Sequence, residues 1–113
     1  MVQHLTNDTF KEKVFDYTNS KDWNFKGSKP AVIDFYADWC APCRMLGPVL
    51  EQVAEENSDI KVIKVNVDEN QELAAEFAVR GIPALFVLKD GKQVATRAGF
   101  MPKDALVDWV KNA

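Results

Sequence analysis

Cysteine and histidine are both scarce here, two of the first and one of the second. A structural zinc site takes about four such ligands, and His4 lies far from Cys40 and Cys43 along the chain, so neither a metal nor another bound cofactor is expected. A staple is an equally poor use for the two thiols, because a bridge between residues three apart constrains the unfolded chain by only about 2 kcal/mol. Long apolar runs are missing too, and nothing approaches the roughly 20 residues needed to span a bilayer. Nor is there an excess of positive charge: 14 Lys and Arg stand against 17 Asp and Glu, for a net charge of −3. Nucleic acid and anionic membrane both call for a basic surface, so neither is expected as a partner. The opening residues, Met1 to Asn7, lack the charged and apolar regions of a signal peptide, and a cytoplasmic protein is the expectation. Redox chemistry is what two lone cysteines at Cys-x-x-Cys spacing can perform unaided.

What is present reads as alternating helices and strands in one domain, residues 1–113. Phe10, Val14 and Phe15 share a helical face behind the capping candidates Asn7 and Asp8. The stretch Tyr17 to Pro30 is polar, contains Gly27 and Ser28, and reads as a loop carrying Trp23 and Phe25. Ala31 to Tyr36 has apolar residues on both faces, the mark of a central strand. Leu46, Val49, Leu50, Val53 and Ala54 recur with helical spacing, and Pro48 inside that helix is expected to kink it. Ile60 to Val67 reads as a second β-branched strand. Asp68 or Asn70 can cap a short helix with Leu73, Ala74 and Phe77 inward, ending near Gly81. Ala84 to Lys89 and Gln93 to Ala98 flank Asp90-Gly91, a hairpin signal. The last helix starts near Pro102 and is expected to bury Ala105, Leu106, Trp109 and Val110. The order predicts an α/β fold, with parallel strands early, antiparallel strands late and helices on both faces of a mixed sheet.

Cys40 follows the central strand and opens the long helix. A thiolate there faces the unpaired N–H groups and the positive end of the helix dipole, which lowers its pKa and suits it as the nucleophile. Cys43, one turn further in, is placed to resolve a sulfur held on Cys40. Two ordinary core cysteines are the bland alternative, and the position at a helix start weighs against them. Pro42 fits the first helical turn, where its missing N–H is not needed. Asp34 has only Val32, Ile33, Phe35 and Tyr36 around it, so its carboxylate is expected to be buried with a raised pKa; a locally exposed strand edge is the other reading.

Trp39-Cys40-Ala41-Pro42-Cys43, with Ile82-Pro83 downstream and Asp34 in the central strand, resembles the thioredoxin family, and the resemblance runs from Leu5 to the C-terminal helix. It implies the thioredoxin fold, a mixed five-stranded sheet flanked by four helices. It also implies reduction of disulfide-containing protein substrates, with electrons returned by an NADPH-dependent flavoprotein, thioredoxin reductase. By the same resemblance Asp34 is the buried carboxylate that relays a proton as Cys43 becomes nucleophilic. Lys64, which interrupts an apolar strand, matches the family's lysine near that carboxylate; a lysine snorkelling to the surface is an equal reading. Only about 5–6% of X–Pro bonds are cis, so Ile82–Pro83 taken alone is expected trans, and the resemblance reverses this. A cis bond there sits against Cys40 and offers the Ile82 backbone to an extended substrate. Trp39, Ala41, Pro42, Ile82, Pro83, Gly99 and Phe100 then form the docking surface, with Trp39 as plain packing the competing reading.

The chain departs from the family in four places. Ala41 replaces the usual Gly, Tyr36 stands where Trp is common, Ala84 replaces a frequent Thr, and the Tyr17 to Pro30 segment is longer. None of these removes a reacting group. A disulfide-forming oxidase or isomerase of the same fold usually has His between its cysteines, and Ala41-Pro42 offers no such charge. A binding or assembly subunit without redox turnover is the remaining alternative. A monomeric reductant is the expectation.

Overall fold

The computed structural model describes residues 2–14, 30–90 and 92–113. Along them run β1 (Val2–His4), α1 (Asn7–Lys13), β2 (Ala31–Tyr36), α2 (Ala41–Glu56), β3 (Lys61–Asn66), α3 (Gln71–Glu76), β4 (Ala84–Lys89), β5 (Lys92–Ala98) and α4 (Lys103–Asn112). The strands form one sheet in the order β1-β3-β2-β4-β5. β3 is parallel to both β1 and β2, whereas β4 is antiparallel to β2 and to β5. The mixed α/β sheet with helices on both faces is therefore as expected. Phe15, residues 17–29 of the expected loop and Gly91 lie outside the described residues.

β2 is central because both of its faces are apolar, and all its residues but Tyr36 are buried. Alternation sends Ala31, Ile33 and Phe35 to one core, where they meet Phe10 of α1, Leu73 of α3 and Phe77. Phe35, Phe77 and Phe86 pack there as tilted and edge-to-face pairs with centroids 4.9–5.6 Å apart. Val32 points to the opposite core, shared with Leu46, Leu50 and Val53 of α2 and with Leu106 and Val110 of α4. Asp34 and Tyr36 have the same parity as Val32, so they project to the α2 side. β5 is an edge strand with mostly exposed residues.

Several boundaries differ from the sequence reading, each for a local reason. β1 was not legible, since three residues are too few to show alternation. Thr6, not Asn7 or Asp8, caps α1: its hydroxyl accepts from Thr9 N while Thr9 Oγ1 accepts from Thr6 N. Asn7 is used elsewhere, its Oδ1 accepting from Leu73 N in the first turn of α3 and its N–H donating to Asn70 Oδ1. Asn70 does occupy the N-cap of α3, but its amide donates to the Asn66 carbonyl rather than capping the helix. α3 stops at Glu76, well short of Gly81, where Phe77 caps it and Ala78 turns to φ 52°. Ala105 is exposed, because Leu106, Val110 and the half-buried Val107 and Trp109 fill the inner face of α4. Asp90 has φ 51°, the left-handed backbone that a tight hairpin needs.

Candidate active site

Antiparallel pairing of β2 with β4 brings the end of one strand beside the start of the other. That juxtaposition assembles the site from segments 42 residues apart: Cys40 Sγ lies 3.8 Å from the Ile82 carbonyl oxygen. The Ile82–Pro83 bond is cis, as the family resemblance implied and the bare residue pair did not. Gly99, at φ 95°, donates its N–H to the Pro83 carbonyl at 2.8 Å, so β5 closes the same corner.

Cys40 and Cys43 are joined as a disulfide with Cα atoms 5.2 Å apart. Cys40 is the N-cap of the 16-residue α2, and the Cys43 N–H points at its sulfur from 3.3 Å. Backbone donors and the positive end of the helix dipole thus meet at Cys40, where a thiolate would form. Both sulfurs are largely covered by Ala37, Tyr36, Val67 and Ile82. Ala41 and Pro42 are exposed on the first turn, and Pro83 is buried behind them.

Trp39 is 69% exposed, which rules out the plain-packing reading. Its indole N–H donates to Asp68 Oδ2 at 2.9 Å, so the ring is held although it faces solvent. Trp39 and Ile82 line a cavity of about 200 Å³ together with Val67, Ala74, Val79 and Arg80. Phe100 is 42% exposed on the segment after Gly99. Sequence reading missed Asp68 as the partner of Trp39, having considered it only as a helix cap. It also missed Val67, Ala74, Val79 and Arg80 as cavity walls. The available signal was topological: loops at the carboxyl ends of adjacent parallel strands are where α/β proteins bind ligands. The Asp68 loop is rigidly built, with Asn66 Oδ1 accepting from the N–H groups of Asp68 and Glu69.

Asp34 is fully buried, and neither carboxylate oxygen has a hydrogen-bond partner among the described residues. Burial pushes its pKa up from 3.8 to about 7, against a smaller downward pull from the Lys64 ammonium. Asp34 and Lys64 are register partners on β2 and β3, so their side chains leave the sheet on the same face. Lys64 is half-buried, with its Nζ over the Tyr36 ring, 4.3 Å from the centroid. Both readings of Lys64 are thus partly realised: it sits beside the carboxylate's strand, yet its head rests on an aromatic face. Among the described residues no cluster of His, Cys, Asp and Glu could hold a metal ion.

A family model described as Thioredoxin matches residues 1–112 of the chain. A thioredoxin of Borreliella burgdorferi is 43% identical over 115 residues, covering 99% of this chain and 97% of that protein. Thioredoxin 1 of Synechococcus elongatus is 41% identical over 105 residues, covering 92% of this chain and 89% of its own. A thioredoxin of Bacillus subtilis is 53% identical over 78 residues, covering 68% and 75% respectively.

Proposed function

This chain belongs to the thioredoxin family, and we propose that it works as a reductant of protein disulfides, with Cys40 as nucleophile and Cys43 as resolving thiol. It is a protein-disulfide oxidoreductase whose redox pair is Cys40 and Cys43. One observation carries the assignment of roles: Cys40, not Cys43, occupies the N-cap of α2 and receives the Cys43 N–H. The Cys40 thiolate attacks one sulfur of a substrate disulfide, forming a mixed disulfide and releasing the other substrate sulfur as a thiolate. Cys43, after giving up its proton, attacks Cys40 Sγ, forming the Cys40–Cys43 disulfide and releasing the second substrate sulfur.

Asp34 takes the Cys43 proton in this reading. It lies on the sheet face that α2 covers, and a carboxyl titrating near 7 matches a thiol that must ionise near neutrality. Lys64 is the partner that limits how far the Asp34 pKa rises. Trp39, Ala41, Pro42, Ile82, Pro83 and Gly99 form the docking surface, with the cavity beside Trp39 taking an apolar side chain of the substrate. The reading extends to a monomeric cytoplasmic carrier, residues 1–113 acting as one domain, that draws electrons from NADPH through thioredoxin reductase. Among the described residues no helix is long and apolar enough to cross a membrane.

The test is coupled turnover: NADPH, a thioredoxin reductase, this chain and a disulfide-linked protein. NADPH consumption that needs both cysteines and ends in free substrate thiols is expected. Failure to turn over, combined with efficient oxidation of a reduced protein by the disulfide form, would replace the reductant with an oxidase.

A further inference from the structure

Tyr36 stands at a position the mechanism above leaves unused, although it touches three parts of the site. Its ring face carries the Lys64 ammonium, with Nζ 4.3 Å from the centroid. Across the β2–β3 register it stands opposite Asn66, the residue whose Oδ1 organises the Asp68 loop. Its ring edge meets His4 of β1, with centroids 6.5 Å apart. Along β2 it is two residues from Asp34 and therefore on the same sheet face.

The Lys64 ammonium has two seats within reach of its stem. One is the Asp34 carboxylate, directly opposite across the β2–β3 pair. The other is the Tyr36 ring, and that is the seat it takes: Asp34 has no ion-pair or hydrogen-bond partner among the described residues. α2 bounds the same space, since a Cβ built on Gly47 would lie 3.8 Å from Lys64 Nζ. An aromatic face that attracts a cation competes directly with a neighbouring anion for it.

We propose that Tyr36 is a positioning residue that seats the Lys64 ammonium on its ring and off the Asp34 carboxylate, so that the buried acid keeps its proton in the disulfide form. The proposal concerns the same carboxylate as the proton relay proposed above and supplies its control. The charged and titratable groups around the pair are few. Lys64 of β3 acts on Asp34, while Asp38, Glu69 and Asp34 itself act on Tyr36. His4 of β1 lies at the ring edge, and α2 contributes Cys43. Among these, Lys64 is the group that lowers the Asp34 pKa, so its seat matters most.

The measurement is the titration midpoint of the Asp34 carboxyl in the oxidised protein, followed by carbon-13 NMR and assigned by its loss in Asp34→Asn. Tyr36→Leu removes the ring and frees the ammonium for the carboxylate, so the midpoint is expected to fall by about half a pH unit. Tyr36→Phe keeps the ring and is expected to leave it in place. In a Lys64→Met background Tyr36→Leu is expected to shift nothing, because the effect runs through the ammonium. An unmoved or raised midpoint in Tyr36→Leu overturns the proposal, as does a Tyr36→Phe shift of the same size or a shift that survives Lys64→Met. A further readout needs no variant to fold: the Lys64 ε-methylene protons of the wild type must resonate upfield under the ring current, and their absence there also overturns it. Because Asp34 is observed directly, this outcome is separate from whether the carboxylate relays a proton, which the pH profile of disulfide reduction decides.

Discussion

Replacing Asp34 with Ala should make the oxidised protein more stable at neutral pH while slowing its chemistry. The folded carboxyl titrates at about 7 against 3.8 for the ordinary group, because burial penalises its charge. Between those two values the folded state binds more protons than the unfolded state. Stability from this group is therefore fully present below the lower value and is lost as pH rises through the higher one. At pH 7 the cost of carrying it has reached about 4 kcal/mol, and at pH 5 about 2 kcal/mol, from roughly 1.4 kcal/mol per unit of separation. The Ala side chain leaves a small void that offsets part of this, on the order of 1–2 kcal/mol. Net stabilisation of about 2–3 kcal/mol is expected at pH 7 and close to none at pH 5. Urea melts of both oxidised proteins at the two pH values measure it; 2 kcal/mol moves the midpoint by roughly 1 M. A variant that is neutral or destabilised at pH 7, or equally stabilised at both, would refute an unpaired buried acid at this position. The proton-relay role would then lose its main support.

Cys43→Ser is expected to accumulate a mixed disulfide through Cys40, and Cys40→Ser to be inert; mass spectrometry of the trapped adduct checks this, and capture through Cys43 would reverse the roles. With no charged side chain between the cysteines, the reduction potential should lie near about −270 mV, measured by equilibration with glutathione; about −180 mV or higher would indicate an oxidase or isomerase. Asp68→Ala removes the acceptor of the Trp39 indole N–H and should raise KM for protein substrates several-fold while costing no more than about 1.5 kcal/mol in a urea melt. Asn7→Ala removes the acceptor of Leu73 N in the first turn of α3 while leaving the Asn7 N–H bond to Asn70 Oδ1 in place, and a loss of about 1–3 kcal/mol is expected in the same assay.

The candidate site's central residues were legible because each breaks a local rule that the sequence shows directly. Asp34 is an acid inside an apolar strand, and the cysteines open a helix whose periodicity is plain from Leu46 to Ala54. Elements long enough to repeat a pattern came through well, α2 and β4 above all. What failed was decided by partners distant in sequence. Thr6 outcompetes Asn7 for the cap of α1 because Asn7 is committed to α3, 66 residues away. Asp68 meets Trp39 only because β2 and β3 lie side by side, and Ala105 faces outward because larger neighbours fill the inner face of α4. The geometry of the Ile82–Pro83 bond is set by tertiary context as well, which is why likeness to a family located it and residue chemistry did not.

The corner where Cys40 meets Ile82 also bears on how the protein is made. Ribosomes extend a chain from its amino end at about 5–20 residues per second, so the 42 residues separating these two take roughly 2–8 s to add. For all but the first three residues of that interval the nascent polypeptide carries both thiols, without the backbone segment that later stands against them. Selectivity among disulfides, insofar as that segment provides it, is thus a property of the finished chain.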